Sequence, residues 1–336
     1  MANVVQSAWQ ACQTMVGREP SIARLLGQPY RWIRGRMART SKGDNFITFW
    51  SHRPRERRIG IYLRGSCDLV SIFFCQPLIH QRLRGTCCIV REGLASDSRS
   101  DLLLQTLQDF PQEWLEPVIA KLKLPIHYFQ PRFFEKSFVV EGDLGREEFP
   151  KTVICLSIAS DVSRTVYRHR QHGFLVDPGE WWLKESTAKV LGDLPTVMWF
   201  WENFVSIGKL SVQDFAVNFA RVIALLKQNT AAHILVFNTL TDDSTHPTEP
   251  AQDERQTQMA RRRVFNAKLE ELSRQLGFHI VDVDRILKCA GLGMKGNAVD
   301  FPPEREASTS HEAFRAIAHE AFRMMGELGV FEGRST

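Results

Sequence analysis

No apolar stretch of this sequence approaches the ~18–20 residues that a membrane-spanning helix requires, because Arg, Asp or Gln interrupts every candidate. A transmembrane helix is therefore not expected. Met1–Gly17 also lacks the basic segment and apolar core of a secretory signal; with Gln6, Gln10 and Gln13 breaking its apolar character, it reads as a short amphipathic helix. Cysteines in ligand-like spacing are missing too. The seven cysteines are odd in number, Cys87 and Cys88 are adjacent, and Cys75, Cys155 and Cys289 lie in apolar contexts. This is how reduced core thiols are used in a cytoplasmic protein, and it speaks against a disulfide framework or a zinc site. There is no phosphate-loop motif, dinucleotide fingerprint, internal repeat or low-complexity tract, so neither a cofactor nor a metal is expected.

What the chain does have is core-forming material. Of its 336 residues, 43% are hydrophobic, enough for one large or two small domains without staples. The net charge of +5 conceals an asymmetry: residues 1–91 hold fifteen Lys and Arg against four Asp and Glu, and fourteen of the fifteen are Arg. Arg31, Arg34, Arg36 and Arg39, then Arg53, Arg55, Arg57 and Arg58, are the type suited to planar phosphate or carboxylate recognition. Two readings stand: solvated helix faces with a basic linker, or a surface for an acidic partner, a phosphate-bearing ligand or nucleic acid. Nucleic acid ranks last, since aromatics do not interleave with the Arg run in a stacking pattern.

Five strand-like runs recur with helical or irregular stretches between them: Arg58–Arg64, Thr86–Arg91, Thr152–Ile158, His233–Asn238 and Phe278–Val283. Pro195–Trp201 is a sixth strand or a buried apolar loop. The pattern predicts an α/β fold of three layers, a mostly parallel five-stranded sheet flanked by helices. Residues 56–336 form this domain, and residues 1–55 a basic N-terminal helical extension. Ser211 is placed to cap a helix carrying Phe215, Phe219, Val222 and Ile223. Arg255–Leu276 predicts a second helix, with Val264, Leu269 and Leu272 inward and Gly277 just past its end. Ser310 is placed to cap a third, whose apolar stripe is Phe314, Ile317, Ala318 and Phe322. Thr241–Glu254 has the composition of a long surface loop after a strand, at the sheet edge where ligands of open α/β sheets bind.

The chemistry-bearing residues cluster at strand ends. The first run leads into Gly65, Ser66, Cys67 and Asp68, then into an apolar, helix-like segment, Leu69–Leu83, that Pro77 kinks or ends. A strand, tight turn and helix in succession hold a hydroxyl or thiol at the strand's carboxyl end and aim free N–H groups at a developing oxyanion, although Gly-Ser is also an ordinary turn pair. Ser66 is the preferred nucleophile and Cys67 its competitor. Near the other end of the chain, His311 stands at the head of the last predicted helix, placed to serve as general base or to be a plain surface histidine. His319 reads as structural. Arg168, His169, Arg170 and His172 read as a solvated helix end or an anion cradle. Asp177 to Trp182 reads as a turn followed by aromatics, for core or lid packing ahead of stacking against a sugar or base. Asp282 and Asp284 lack identifiable partners for a metal.

In this layout residues 58–326 resemble the SGNH, or GDSL-like, hydrolase superfamily, whose nucleophile follows the first strand and whose catalytic His precedes the last helix. The family's opening Gly-Asp-Ser stands here as Gly65, Ser66 and Cys67, a variant seen in divergent relatives associated with polysaccharide or acyl modification. The family's Asp three residues before the His is here Ser308, which leaves Asp300, Glu304 or Glu306 to orient the imidazole, or a dyad without one. Two segments compete for the family's oxyanion-binding Asn: Asn203, after Pro195–Trp201, is the better donor, while Ile158 to Asp161 follows the more convincing strand but offers only Ser160. Ser160, in a Ser160–Asp161 turn before a helix-like stretch from Val162 to His172, also competes as nucleophile in a second register that would make residues 1–145 a separate domain. The resemblance implies an esterase or acyltransferase acting on a small-molecule O-acyl or glycan substrate, or on an acyl group linked to an acidic carrier protein. The alternative is a catalytically silent scaffold binding a glycan, an acidic carrier or nucleic acid.

Overall fold

The computed structural model describes residues 45–51, 58–64, 69, 72–73, 85–91, 99–105, 111–122, 151–177, 194–241, 252–290 and 307–330. Among them the strands are β1 (Asn45–Ser51), β2 (Arg58–Arg64), β3 (Gly85–Arg91), β4 (Lys151–Ser157), β5 (Thr165–His169), β6 (Leu175–Val176), β7 (Phe204–Lys209), β8 (His233–Phe237) and β9 (His279–Val281). The helices are α1 (Ser100–Gln105), α2 (Gln112–Leu122), α3 (Ala159–Ser163), α4 (Leu194–Asn203), α5 (Val212–Asn229), α6 (Gln252–Leu276), α7 (Val283–Cys289) and α8 (Ala307–Glu327).

The main sheet has the order β3-β1-β2-β4-β8-β9. From β2 to β9 it is parallel, each crossover stepping one place in the same direction. Its central strands alternate with period two, and both faces are apolar. Val153 and Cys155 of β4, with Leu235 and Phe237 of β8, join one core cluster; Ile154 and Leu156, with Ile234 and Val236, join the other. Strands apolar on both faces need a helix layer on each. The first layer is α7, α8 and the helical residues Leu69, Ile72 and Phe73; the second is α5 and α6.

The five expected strands all lie in this sheet, but the expected parallel arrangement needs correction at one edge. β1 is inserted antiparallel between β2 and β3, so β3 points with the parallel set without pairing to it. β1 falls within the segment expected to be a helical extension; for Asn45–Ser51 that expectation is wrong, because pairing to both neighbours satisfies its backbone. The rest of residues 1–55 lies outside the described residues.

A second sheet, β6-β5-β7, is antiparallel. The stretch expected to be helical from Val162 to His172 is instead the end of α3, then β5 and a turn. Gly173, at φ 76°, supplies the left-handed residue that closes the hairpin, with the His169 N–H donating to the Phe174 carbonyl at 2.8 Å. Pro195–Trp201 is neither strand nor loop but most of α4, with Pro195 in its first turn, where a missing N–H costs nothing. Phe200 of α4 and Leu115, Val118 and Leu122 of α2 bury against Tyr167, Phe174, Val176 and Phe204.

The helix expectations hold with adjustments. Ser211 caps α5, its Oγ accepting from the Asp214 N–H at 3.0 Å. Gly277, at φ 67°, ends α6. Leu269 and Leu272 face inward, but Val264 is exposed and Phe265 takes its place. The stripe Phe314, Ile317, Ala318 and Phe322 is buried, while α8 begins at Ala307, so Ser310 lies inside the helix and does not cap it. Cys155 is a buried free thiol and Cys289 an exposed one, against the expectation that both are core residues. No described helix is long and apolar enough to cross a membrane.

Candidate functional site

Four parallel strands end on one edge, and the polar residues just beyond them define the candidate site. β2 ends in the buried Arg64. The residues that follow it, Gly65, Ser66, Cys67 and Asp68, lie outside the described residues, as do Asp300, Glu304 and Glu306. His311 is the fifth residue of α8, and its side chain lies outside what is described.

The end of β4, the strand next to β2, is described in full. The Ile158 N–H donates to the Phe237 carbonyl of β8 at 3.3 Å, and the Ser157 hydroxyl accepts from the Ala159 N–H at 3.2 Å. Ser160 is 1% exposed, and its hydroxyl has no hydrogen-bond partner among the described residues. Asp161 is equally buried, and its Oδ1 accepts from both the N–H and the hydroxyl of Ser100, at 2.8 and 2.7 Å. Burial pushes the Asp161 carboxyl up to about 7; the Ser100 bonds and the Arg99 charge pull against that, and Asp101 adds to it.

A charged frame surrounds this turn. The Arg99 guanidinium, 1% exposed, grips Asp101 through Nε and Nη2, at 3.1 and 2.5 Å, and donates from Nη1 to the Arg164 and Gly208 carbonyls, at 3.0 and 2.7 Å. Arg261 of α6 donates from Nε to the Val162 carbonyl at 2.7 Å, and from Nη2 to the carbonyls of Asp161, at 3.3 Å, and Leu210. The sequence reading missed Arg99 and Ser100. Ser100 followed by Asp101 and three leucines is a helix-start signature that was there to be found.

At the ends of β8 and β9 a closed network pins the rim. Asn238 donates from Nδ2 to Asp282 Oδ1 at 2.9 Å and accepts from the Asp284 N–H at 3.3 Å. Thr241 gives its N–H and hydroxyl to Asp284 Oδ1 at 2.7 and 2.8 Å, and Lys288 donates to Asp284 Oδ2 at 2.7 Å. Burial works against ionisation of Asp284, yet the Lys288 and Thr241 donors together hold its carboxyl below the usual range. Asp282 also caps α7, accepting from the Arg285 N–H at 3.1 Å. Among the described residues no three His, Cys, Asp or Glu side chains group so as to hold a metal ion.

The two segments competing for the oxyanion place are thus separated. Ile158 to Asp161 follows a strand of the main sheet. Asn203 does not: it ends α4 beside the small sheet, with its Nδ2 donating to the Trp199 carbonyl at 2.8 Å. His169, expected on a solvated helix end, is buried against Phe174 and Phe204, with ring centroids 4.8 and 4.9 Å away. Comparison with protein-family models, curated proteins and solved structures finds no match to this chain.

Proposed function

We propose that the protein is an ester-handling enzyme, a hydrolase or acyltransferase of the SGNH-like kind. Ser66 attacks the acyl carbonyl, with Cys67 as its competitor. His311 takes the hydroxyl proton and returns it to the departing alcohol or thiol. Water or a second acceptor then releases the acyl group. Asp300, from the segment before α8, orients the imidazole. The oxyanion partner is drawn from Ile158 to Asp161, because that segment follows the strand paired to β2; Asn203 is the weaker candidate, being tied to its own helix.

The observation carrying this reading is a shared core layer. Leu69, Ile72 and Phe73, directly after Gly65 to Asp68, lie in one cluster with Ala313, Phe314, Ile317 and Phe322, directly after His311. The Phe73 and Phe322 rings meet edge to face at 5.9 Å. Two parts of the chain more than two hundred residues apart are thereby held on one face of one sheet. The Arg-rich front of the chain favours an acyl donor or acceptor bearing phosphate or carboxylate, such as a carrier-linked acyl group.

The test is covalent labelling by a fluorophosphonate probe together with turnover of a simple aryl ester. The wild type reacts; Ser66→Ala abolishes labelling, and His311→Ala lowers the rate by roughly 10²–10⁴-fold. Labelling retained in Ser66→Ala overturns the assignment and moves the nucleophile to Ser160 or elsewhere. A wild type that never reacts favours the second reading, a silent scaffold binding a glycan or acidic carrier, for which Ser308 in place of the expected Asp is the supporting feature.

A further inference from the structure

The short helix α1 joins the two sheets. At its head, Arg99 reaches the carbonyls of Arg164, at the end of α3, and Gly208, in β7. Ser100 clasps Asp161 through two hydrogen bonds. At its tail, Gln105 donates from Nε2 to the Leu175 carbonyl of β6 at 2.8 Å and accepts from the Leu175 N–H. Leu103 lies in the main-sheet cluster with Phe215 and Phe219 of α5. Whatever moves the head of α1 therefore acts on the seam between the sheets.

The Asp161 carboxyl stands at that head with little to neutralise it. From the α1 side it faces Arg99 and Asp101, but they are paired to each other. From α6 it meets Arg261, whose hydrogen bonds among the described residues go to backbone carbonyls. Lys209, the one charged residue of β7, is exposed. Among the described residues only Ser100 donates to the carboxyl, and both of its bonds fall on Oδ1.

We propose that the Ser100–Asp161 clasp is a proton-operated latch on this seam, closed when Asp161 carries its proton and loosened when that proton is lost. In an opened seam the carboxyl meets water and titrates near the ordinary ~3.9. In the closed seam burial holds the proton up to about 7. Closure is therefore fully favoured below the ordinary carboxylate value, weakens by up to ~tenfold per pH unit as pH rises toward the closed-state value, and is flat beyond it. The latch is independent of whether Ser66 is a nucleophile.

Amide hydrogen exchange on the full chain between about pH 4.5 and 8 tests it. The Ser100 amide, and the Leu103 amide that donates to the Arg99 carbonyl at 3.0 Å, are expected to exchange faster with pH by up to ~tenfold per unit beyond intrinsic base catalysis, up to neutrality and not above. Amides in the middle of α5 show no such excess. Asp161→Asn keeps an acceptor for Ser100 and removes the excess. Should that variant not fold, Ser100→Ala removes one donor and moves the end of the window to higher pH. Wild-type exchange that follows intrinsic catalysis alone, excess that survives Asp161→Asn, or a window unmoved by Ser100→Ala each overturns the proposal.

Discussion

Arg99→Met keeps the apolar stem of the side chain and removes the guanidinium, so it isolates what that group contributes. Arg99 is 1% exposed, and its partner Asp101 is 14% exposed. Removing one member of a buried pair costs about 3–5 kcal/mol, because the other charge is left uncompensated. Asp101 regains some water and keeps the Leu102 N–H donating to its Oδ1 at 3.0 Å, which places this case at the low end. The Arg164 and Gly208 carbonyls lose a donor each, but both residues are only half-buried, so water recovers part of that loss. The expected destabilisation is about 3–4 kcal/mol by urea unfolding, followed by circular dichroism and tryptophan fluorescence in parallel. Asp101→Asn alone is expected to cost less, and the double variant less than the sum of the singles. A loss under about 1 kcal/mol for Arg99→Met, or strict additivity in the cycle, refutes the view that this pair holds α1 to the small sheet.

Two further outcomes follow from single residues. The His169 ring packs near-parallel to those of His172 and Phe174, with each centroid 4.8 Å away, and its Nδ1 accepts from the His172 N–H at 3.1 Å. Burial and the neighbouring His172 charge hold its imidazole below the ordinary histidine range. Its contribution is thus present above the unfolded-state value of ~6.5 and lost as pH falls through the lower folded-state value. Amide exchange in β5 and β6 should rise below about pH 6 in the wild type and not in His169→Phe; an equal rise in both would refute the assignment. Phe73, fully buried, meets Phe237 and Phe322 at 6.0 and 5.9 Å, so Phe73→Ala should lower unfolding free energy by about 3–5 kcal/mol. A loss under about 1 kcal/mol would remove the shared core layer on which the enzymatic proposal rests.

Where the sequence was legible, a local cause decided the structure. β4 and β8 are short and apolar at every position that must face one helix layer or the other, with β-branched Val153, Ile154, Ile234 and Val236 among them, and Ser211 and Gly277 bracket helices with groups that satisfy or end them locally. Where it misled, partners distant in sequence decided. Asn45–Ser51 sits in an Arg-rich region that reads as a helical extension, while its strand exists because β2 and β3 flank it. Pro195–Trp201 is a short apolar run that fits a strand or a helix equally well; packing Phe200 against Tyr167 and Phe204 selects the helix. The same holds for β5, which reads as helical until β7 pairs with it.

The candidate site was less legible than the fold because its bonds join residues that no spacing rule connects. Asp161 meets Ser100 across 61 positions, and Arg261 meets the Asp161 carbonyl across 100. Motif reading found Ser160 and Asp161 as a turn after a strand but could not distinguish their fates. The structure gives Asp161 to the α1 seam and leaves the Ser160 hydroxyl buried without a partner among the described residues, a cost of about 1–3 kcal/mol. Under the enzymatic proposal this buried hydroxyl, in α3 just past the end of β4, meets a group that arrives only during a reaction; under the alternative it is part of the packing alone. Ser160→Ala separates the two. Under the enzymatic reading it lowers aryl-ester turnover while leaving stability unchanged or raised; if it costs stability and leaves turnover untouched, Ser160 belongs to the core and the oxyanion partner must be sought elsewhere on the rim.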